Sequence, residues 1–258
     1  SSHDKFELLV NPYIMIICKE NSEVNFQNLS YSKNCWANYL EEVYLENNAK
    51  LTYVRLQNKM ENSIKTSSLN AHIKSNALLD LKLLNIENCK EDIRIFLNEN
   101  AASAKVKGII FSKDKYESDV YCKIVHNSKF TNSNQNWRLL SSGKSKTSIN
   151  GKMRVNKGAK ESYASFSSKS LIFNKKASSF AKPELEILED DTKCNHGASF
   201  GEIDKNIIFF MQSRGIKKEE AILMLVSAFI KEIGLSPSSE NLYINIFNNI
   251  TEELENYE

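Results

Sequence analysis

Proline is scarce in this chain: Pro12, Pro183 and Pro237 are all it has in 258 residues. That scarcity argues against a loop-rich β-sandwich, whose turns draw on proline. An excess of charge of one sign is also missing. The 34 Lys and Arg residues face 32 Asp and Glu, for a net charge of +2. That balance favours neither nucleic acid nor an anionic membrane surface as a partner. No apolar run reaches the ~20 residues that a membrane-spanning helix needs. The stretch "LLVNPYIMIIC" is broken by Asn11 and Pro12 and reads as strand, and the polar start "SSHDKFE" has no signal-peptide character. The five cysteines, Cys18, Cys35, Cys89, Cys122 and Cys194, are an odd count with no C-x-x-C pair. A disulfide framework is therefore disfavoured and a reducing compartment expected. No G-x-G-x-x-G or Walker sequence occurs, so ATP binding by this chain is not expected.

What the chain does have, from about residue 8 to 190, is short apolar alternation. Leu79, Leu81 and Leu83 alternate with Asp80 and Lys82, and Ile93, Ile95 and Leu97 form another such set. Val106 to Phe111 is a short apolar run. In "KTSINGKMRV" one face carries Ile149, Met153 and Val155, and in "PELEIL" Leu185 and Ile187 oppose Glu184 and Glu186. A period of two over such lengths means half-buried strands. Asn-rich punctuation between them, as in "ENNAK" and "LNENAASAK", suits tight corners, because Asn tolerates left-handed backbone angles. Many short strands with such corners rank a β-solenoid slightly ahead of a sandwich, although no fixed-length repeat is visible.

Past residue 200 the period becomes helical. Asp204 caps a short helix that runs to Arg214 and ends at Gly215. A second helix is predicted from about Lys217 to Ile233, with Glu219 and Glu220 early and Lys231 late, as the helix dipole favours. Its apolar stripe is read as Ala221, Ile222, Leu225, Ala228, Phe229 and Ile233. A third is predicted over roughly residues 240–256, with Leu242, Ile246, Phe247, Ile250 and Leu254 inward. The division expected is a β core at 1–200 and a C-terminal helical, partner-binding domain at 201–258. Consecutive Ile207, Ile208, Phe209, Phe210 and Met211 make both faces of the first helix apolar. One face can cover the β core and the other needs a partner.

At the junction lies "EDDTKCNHGASFG", Glu189 to Gly201. Three chemistries compete there. His196 and Cys194 are iron-ligand types two residues apart, so in an extended segment they share a face. Against that, His196 can simply bond a backbone carbonyl in a turn, and Cys194 can be a small buried hydrophobe. Lys193 beside Cys194 suggests a lowered thiol pKa. Glu189, Asp190 and Asp191 suggest paired-carboxylate catalysis of the kind used by β-solenoid enzymes that act on polysaccharides. The competing reading is a solvated turn whose acids accept from backbone amides. Gly197 and Gly201 are read as serving backbone geometry. Cys18, Cys35, Cys89 and Cys122 are read as core, and His126 has no role assigned.

The run "KPELEILEDDTKCNHGASFGEIDKNIIFFMQSRGIKKEEAILMLVSAFIKEI" resembles the C-terminal signature of the SufB/SufD family of iron–sulfur cluster assembly proteins. Upstream segments, such as "INGKMRVNKGAKESYASFSSKSLIF", resemble successive turns of that family's core. The Cys-x-His form of the junction resembles the SufD branch more than the SufB branch. Gly-Ala-Ser-Phe-Gly stands where the family has Gly-Ala-Thr-Val-Gly. The resemblance implies a right-handed parallel β-helix with a small C-terminal helical domain. It implies a non-enzymatic scaffold that pairs with a SufB-like subunit and docks a SufC-like ABC ATPase through its C-terminal helices. A homodimer that binds a cluster without a SufD-like partner is the alternative expectation for the chain in isolation. His196, with Cys194, would then help hold a transient iron–sulfur cluster shared with SufB. Phe209, Phe210, Arg214, Gly215, Ile216 and Phe229 are the residues expected to serve partner binding. Some family complexes hold a reduced flavin, but no flavin site is readable here. A cytoplasmic location or a plastid stroma fits equally.

Overall fold

The computed structural model describes residues 8–86, 88–231 and 233. Fifteen strands come first. They are β1 (Leu8–Val10), β2 (Tyr13–Cys18), β3 (Glu23–Lys33), β4 (Cys35–Leu45), β5 (Lys50–Glu61), β6 (Ile64–Ile73), β7 (Leu78–Ile86) and β8 (Cys89–Leu97). They continue with β9 (Ser103–Ser112), β10 (Glu117–His126), β11 (Asn132–Ser141), β12 (Lys146–Val155), β13 (Ser162–Ile172), β14 (Ser178–Ile187) and β15 (Thr192–Glu202). From β3 onward, consecutive strands go to opposite sheets. One sheet stacks β4, β6, β8, β10, β12 and β14, with β1 and β2 both beside β4; the other stacks β3 through β15 by odd numbers. All pairs are parallel, from Leu8 opposite Cys35 to Ile172 opposite Glu202. The result is a parallel β-solenoid of about seven turns.

The missing fixed repeat has a simple cause. Lys65 stacks on Cys89, 24 residues later, whereas Thr147 stacks on Ser179, 32 residues later. Strand register is kept while corner length varies, so an autocorrelation at one period finds little. The corners themselves are where Asn is used. Asn21, Asn48 and Asn76 have φ of 60°, 58° and 56°. Each N–H donates to a carbonyl of the next turn: Asn21 to Asn47, Asn48 to Ser75, Asn76 to Asn100. Ala101, Phe130 and Glu161 continue the same column with positive φ and the same bond pattern. The left-handed geometry is thus imposed by stacking and only in part encoded by Asn.

Inside, the expected alternation holds. Leu79, Leu81, Leu83, Ile93, Ile95 and Leu97 are buried. The largest interior rings need special room. A Cβ on Gly108 would lie 2.0 Å from the Trp137 ring, and one on Gly151 2.0 Å from that of Phe166. These two glycines are therefore set by close approach of a ring.

Two helices follow, α1 (Lys205–Gln212) and α2 (Lys218–Lys231). Asp204 caps α1 by accepting from the Asn206 amide at 2.8 Å. Gly215, at φ 87°, closes it with the Ile216 N–H on the Met211 carbonyl and its own on that of Gln212. That is the left-handed C-terminal closure for which glycine is suited. The helices seat on the outer face of the odd-numbered sheet, where Leu56, Leu84, Ile109, Phe111 and Leu140 meet Ile208, Ile222, Val226 and Ile230. This explains the run Val106 to Phe111: Val106 and Ile110 face the bore, Ile109 and Phe111 the helices. The stripe of α2 differs from expectation. Val226 and Ile230 are buried with Ala221, Ile222 and Ile233, while Leu225 and Phe229 are half-buried and Ala228 is exposed. The i, i+4 series 222–226–230 lies over the sheet, so the helix is rotated by about one residue. The third helix predicted over 240–256 lies outside the described residues. Among the described residues no helix is long and apolar enough to cross a membrane.

Candidate functional site

The junction acids build a corner. The Glu189 carboxylate accepts the Gly158 amide at 2.8 Å, and that bond is the chief cause holding its pKa below the ordinary range. The Asp191 carbonyl accepts from Glu161, the Asp190 carbonyl from Thr192, and the Thr192 hydroxyl donates to the Glu189 carbonyl. These contacts favour the turn reading of Glu189 to Asp191 over acid–base catalysis.

The corner delivers the chain into β15, the last strand of its sheet. Cys194 pairs with Ala164 and His196 with Phe166. Both partners face the bore and are almost wholly buried, so Cys194 and His196 share the inward face, as alternation predicts. Lys193 and Asn195 point the other way; the Asn195 amide donates to the Tyr163 hydroxyl at 3.0 Å. Cys194 is half-buried against the interior cluster. Burial pushes its thiol up, only partly offset by hydrogen bonds with Thr192 and Ala164. The lowered thiol pKa expected from Lys193 is thus overturned, because that lysine lies on the opposite face of the strand. Ionising this thiol at neutral pH requires a metal or a base from elsewhere.

His196 is exposed for a different reason: its strand is the last one. β14 and β15 each pair on one side only among the described residues. Their bore-facing side chains form an open mouth. Leu185 stacks on Met153 and Ile187 on Val155, both fully buried, yet Leu185 is 40 % and Ile187 38 % exposed. Phe200, stacked on Ser170, is 52 % exposed. Two free strand edges around an apolar mouth form a surface that proteins normally cover. Gly197 and Gly201 line the outer side of this edge strand. Neither has a positive φ, and a Cβ on either would meet nothing within 4 Å. The reading that they serve backbone geometry within this chain is therefore corrected.

Among the described residues, no group of three or more His, Cys, Asp or Glu could hold a metal ion. By themselves Cys194 and His196 can supply only part of a metal ligand set. The residues expected at the helical surface divide. Phe209 is 72 % and Phe210 55 % exposed, and Arg214 is exposed. Gly215 forms the α1 closure, and Ile216 and Phe229 pack against the helix–sheet cluster. The Arg138 Nε donates to the Phe229 carbonyl at 3.2 Å, with its guanidinium 5.4 Å from that ring.

Sequence reading missed a buried polar network in the bore. Arg55 bridges Glu41 and Glu91, each at 3.1 Å; Lys65 reaches Glu91 at 3.1 Å; and the Tyr53 hydroxyl donates to Glu41 at 2.6 Å. The signal was parity. Glu91 is in phase with Ile93, Ile95 and Leu97, and Glu41 with Val43 and Leu45. His126, to which sequence reading assigned no role, is buried between the hydroxyls of Thr131 and Ser133 at 2.8 Å each.

Residues 2–229 match the family described as SUF system FeS cluster assembly, SufBD core domain. The chain belongs to the SufBD family. It is 26 % identical over 245 residues to an iron–sulfur cluster assembly SufBD family protein of Synechocystis, covering 89 % of this chain and 54 % of that protein. It is 30 % identical over 158 residues to the iron–sulfur cluster assembly protein SufD of Escherichia coli, covering 61 % and 37 %. With the chloroplastic protein ABCI7 of Arabidopsis thaliana it shares 25 % over 237 residues, covering 86 % and 48 %. The chain thus spans about half, or less, of the length of these relatives. Iron–sulfur cluster assembly is what the family description and the names of two of these relatives state.

Proposed function

We propose that this protein is a SufD-like scaffold subunit on which a nascent iron–sulfur cluster, the cargo of the system, is assembled between chains. The observation that carries the reading is His196: an inward-register residue left exposed on the last strand, whose outer edge has no partner among the described residues, beside Cys194, at an open apolar mouth. An incomplete ligand set at an uncovered end fits a site completed by another solenoid. A SufB-like subunit closes the mouth and adds a cysteine; the imidazole, with the thiol once ionised, completes the coordination that clusters accept. Without that subunit, a second copy of this chain is the expected occupant. A SufC-like ATPase docks on the outward face of α1, with Phe209, Phe210 and Arg214 in contact. The chain contributes ligands and mechanical coupling, and ATP chemistry belongs to the ATPase. The cytoplasm or a plastid stroma would serve, the latter in line with the chloroplastic relative.

The test is co-expression with the SufB-like and SufC-like subunits, with and without His196→Ala, reading visible absorption of the purified complex. A complex that assembles in both cases and loses its chromophore in the variant supports the site. Full colour in His196→Ala removes the ligand role, and failure of the three chains to co-purify removes the scaffold role.

A further inference from the structure

The docking face of α1 carries more than apolar area. Ile207, Phe209 and Phe210 are 44, 72 and 55 % exposed, and Met224 of α2 is 55 % exposed. Of the eight residues of α1 only Ile208 is buried. The Arg214 guanidinium carbon lies 4.2 Å from the centre of the Phe210 ring. That is closer than the 5.4 Å of the Arg138–Phe229 pair inside the helix–sheet joint. No carboxylate pairs with Arg214 among the described residues. From Lys205 to Lys218 the cations are Lys205, Arg214, Lys217 and Lys218, and the segment has no acid.

We infer that Arg214, stacked on Phe210, is a carboxylate-reading element that selects a partner surface where an Asp or Glu stands beside apolar side chains. The inference rests on the docking reading above and names the chemistry of the partner's contact. A guanidinium lying on a ring has one face covered and its edges free, and those edges form the two-pronged donor that matches a carboxylate. Its backbone is fixed as well. The Arg214 N–H donates to the Met211 carbonyl at 3.1 Å, and the Gly215 closure follows directly. A pre-positioned fork loses little freedom on binding. Lysine lacks both the plane and the fork, so it cannot substitute at equal charge.

The experiment is calorimetric titration of the full chain with the SufC-like ATPase of the same system, at low and high salt. Arg214→Lys should weaken binding about tenfold. Arg214→Gln should weaken it at least as much and flatten the salt dependence. Phe209→Ala should weaken binding while leaving the salt dependence as in wild type. Both positions are exposed, so the thermal midpoints of all three variants should match wild type. Wild-type affinity in Arg214→Lys, or an unchanged salt dependence in Arg214→Gln, overturns the inference while the docking reading stands. A wild-type chain that does not bind the ATPase at all overturns the docking reading, and the inference with it.

Discussion

Removing Arg55 should destabilise the chain, and by an amount that depends on pH. Arg55 is 3 % exposed and sits between two carboxylates that are no more exposed. Burial alone would push Glu91 up; Arg55, then Lys65, outweigh it and hold Glu91 at about 2. In Arg55→Met the bore keeps Glu41 and Glu91 with only Lys65 against them. An uncompensated buried charge costs about 3–5 kcal/mol. The sign with pH follows from Glu91. Without Arg55 only Lys65 opposes the burial of Glu91, so its folded pKa rises above the unfolded value of ~4.3 and the folded state takes up a proton as pH falls. Destabilisation should therefore be full at neutral pH and shrink toward pH 5, by up to about 1.4 kcal/mol per pH unit. Urea unfolding of wild type and Arg55→Met at pH 7 and pH 5 reads both quantities. A loss under about 1 kcal/mol at pH 7, or one that is the same at both pH values, would refute the reasoning. The first would mean that the network is screened, the second that Arg55 matters only for packing. Replacing Glu41, Arg55, Lys65 and Glu91 together by apolar residues should cost less than Arg55→Met alone, because no charge is left stranded.

Burial lowers His126 to about 4, so its neutral form is the one that folds. Its contribution is full above the unfolded value near 6.5 and is lost as pH falls toward 4, worth about 3 kcal/mol in all. His126→Gln should flatten the stability-versus-pH curve in that window. Gly151→Ala places a methyl 2.0 Å from the Phe166 ring; a lowered thermal midpoint, equivalent to about 1–3 kcal/mol, is expected. Gly197→Val meets open space in the isolated chain, so its thermal midpoint should equal wild type while co-purification with the SufB-like subunit falls. Cys194, with its thiol pushed up by burial, should react with iodoacetamide at pH 7 more slowly than a free cysteine.

How much of this was legible in the sequence depended on which property each residue served. Period-2 alternation marked strands such as Cys89–Leu97 directly, because one face of each strand is inside. The same alternation hid the buried charges. Glu91 is polar and reads as surface unless its phase with Ile93 is trusted over its chemistry, and only the stacked turns reveal Arg55 and Lys65 as its neighbours. Those two residues lie 36 and 26 positions away, and the unequal turn lengths mean that no single offset links them. The site divides similarly. The shared face of Cys194 and His196 followed from spacing, and the same alternation puts Lys193 on the opposite face; what spacing could not tell is how far stacking on Ala164 buries the thiol. Leu185, Ile187 and Phe200 show the limit most plainly. Their alternation is that of core residues, and in any inner turn they would be buried like Met153 and Val155. Their exposure comes from position in the stack alone. A residue patterned for a core and found in solvent points to a covering layer, which is the physical ground for proposing that a second chain closes this end of the solenoid.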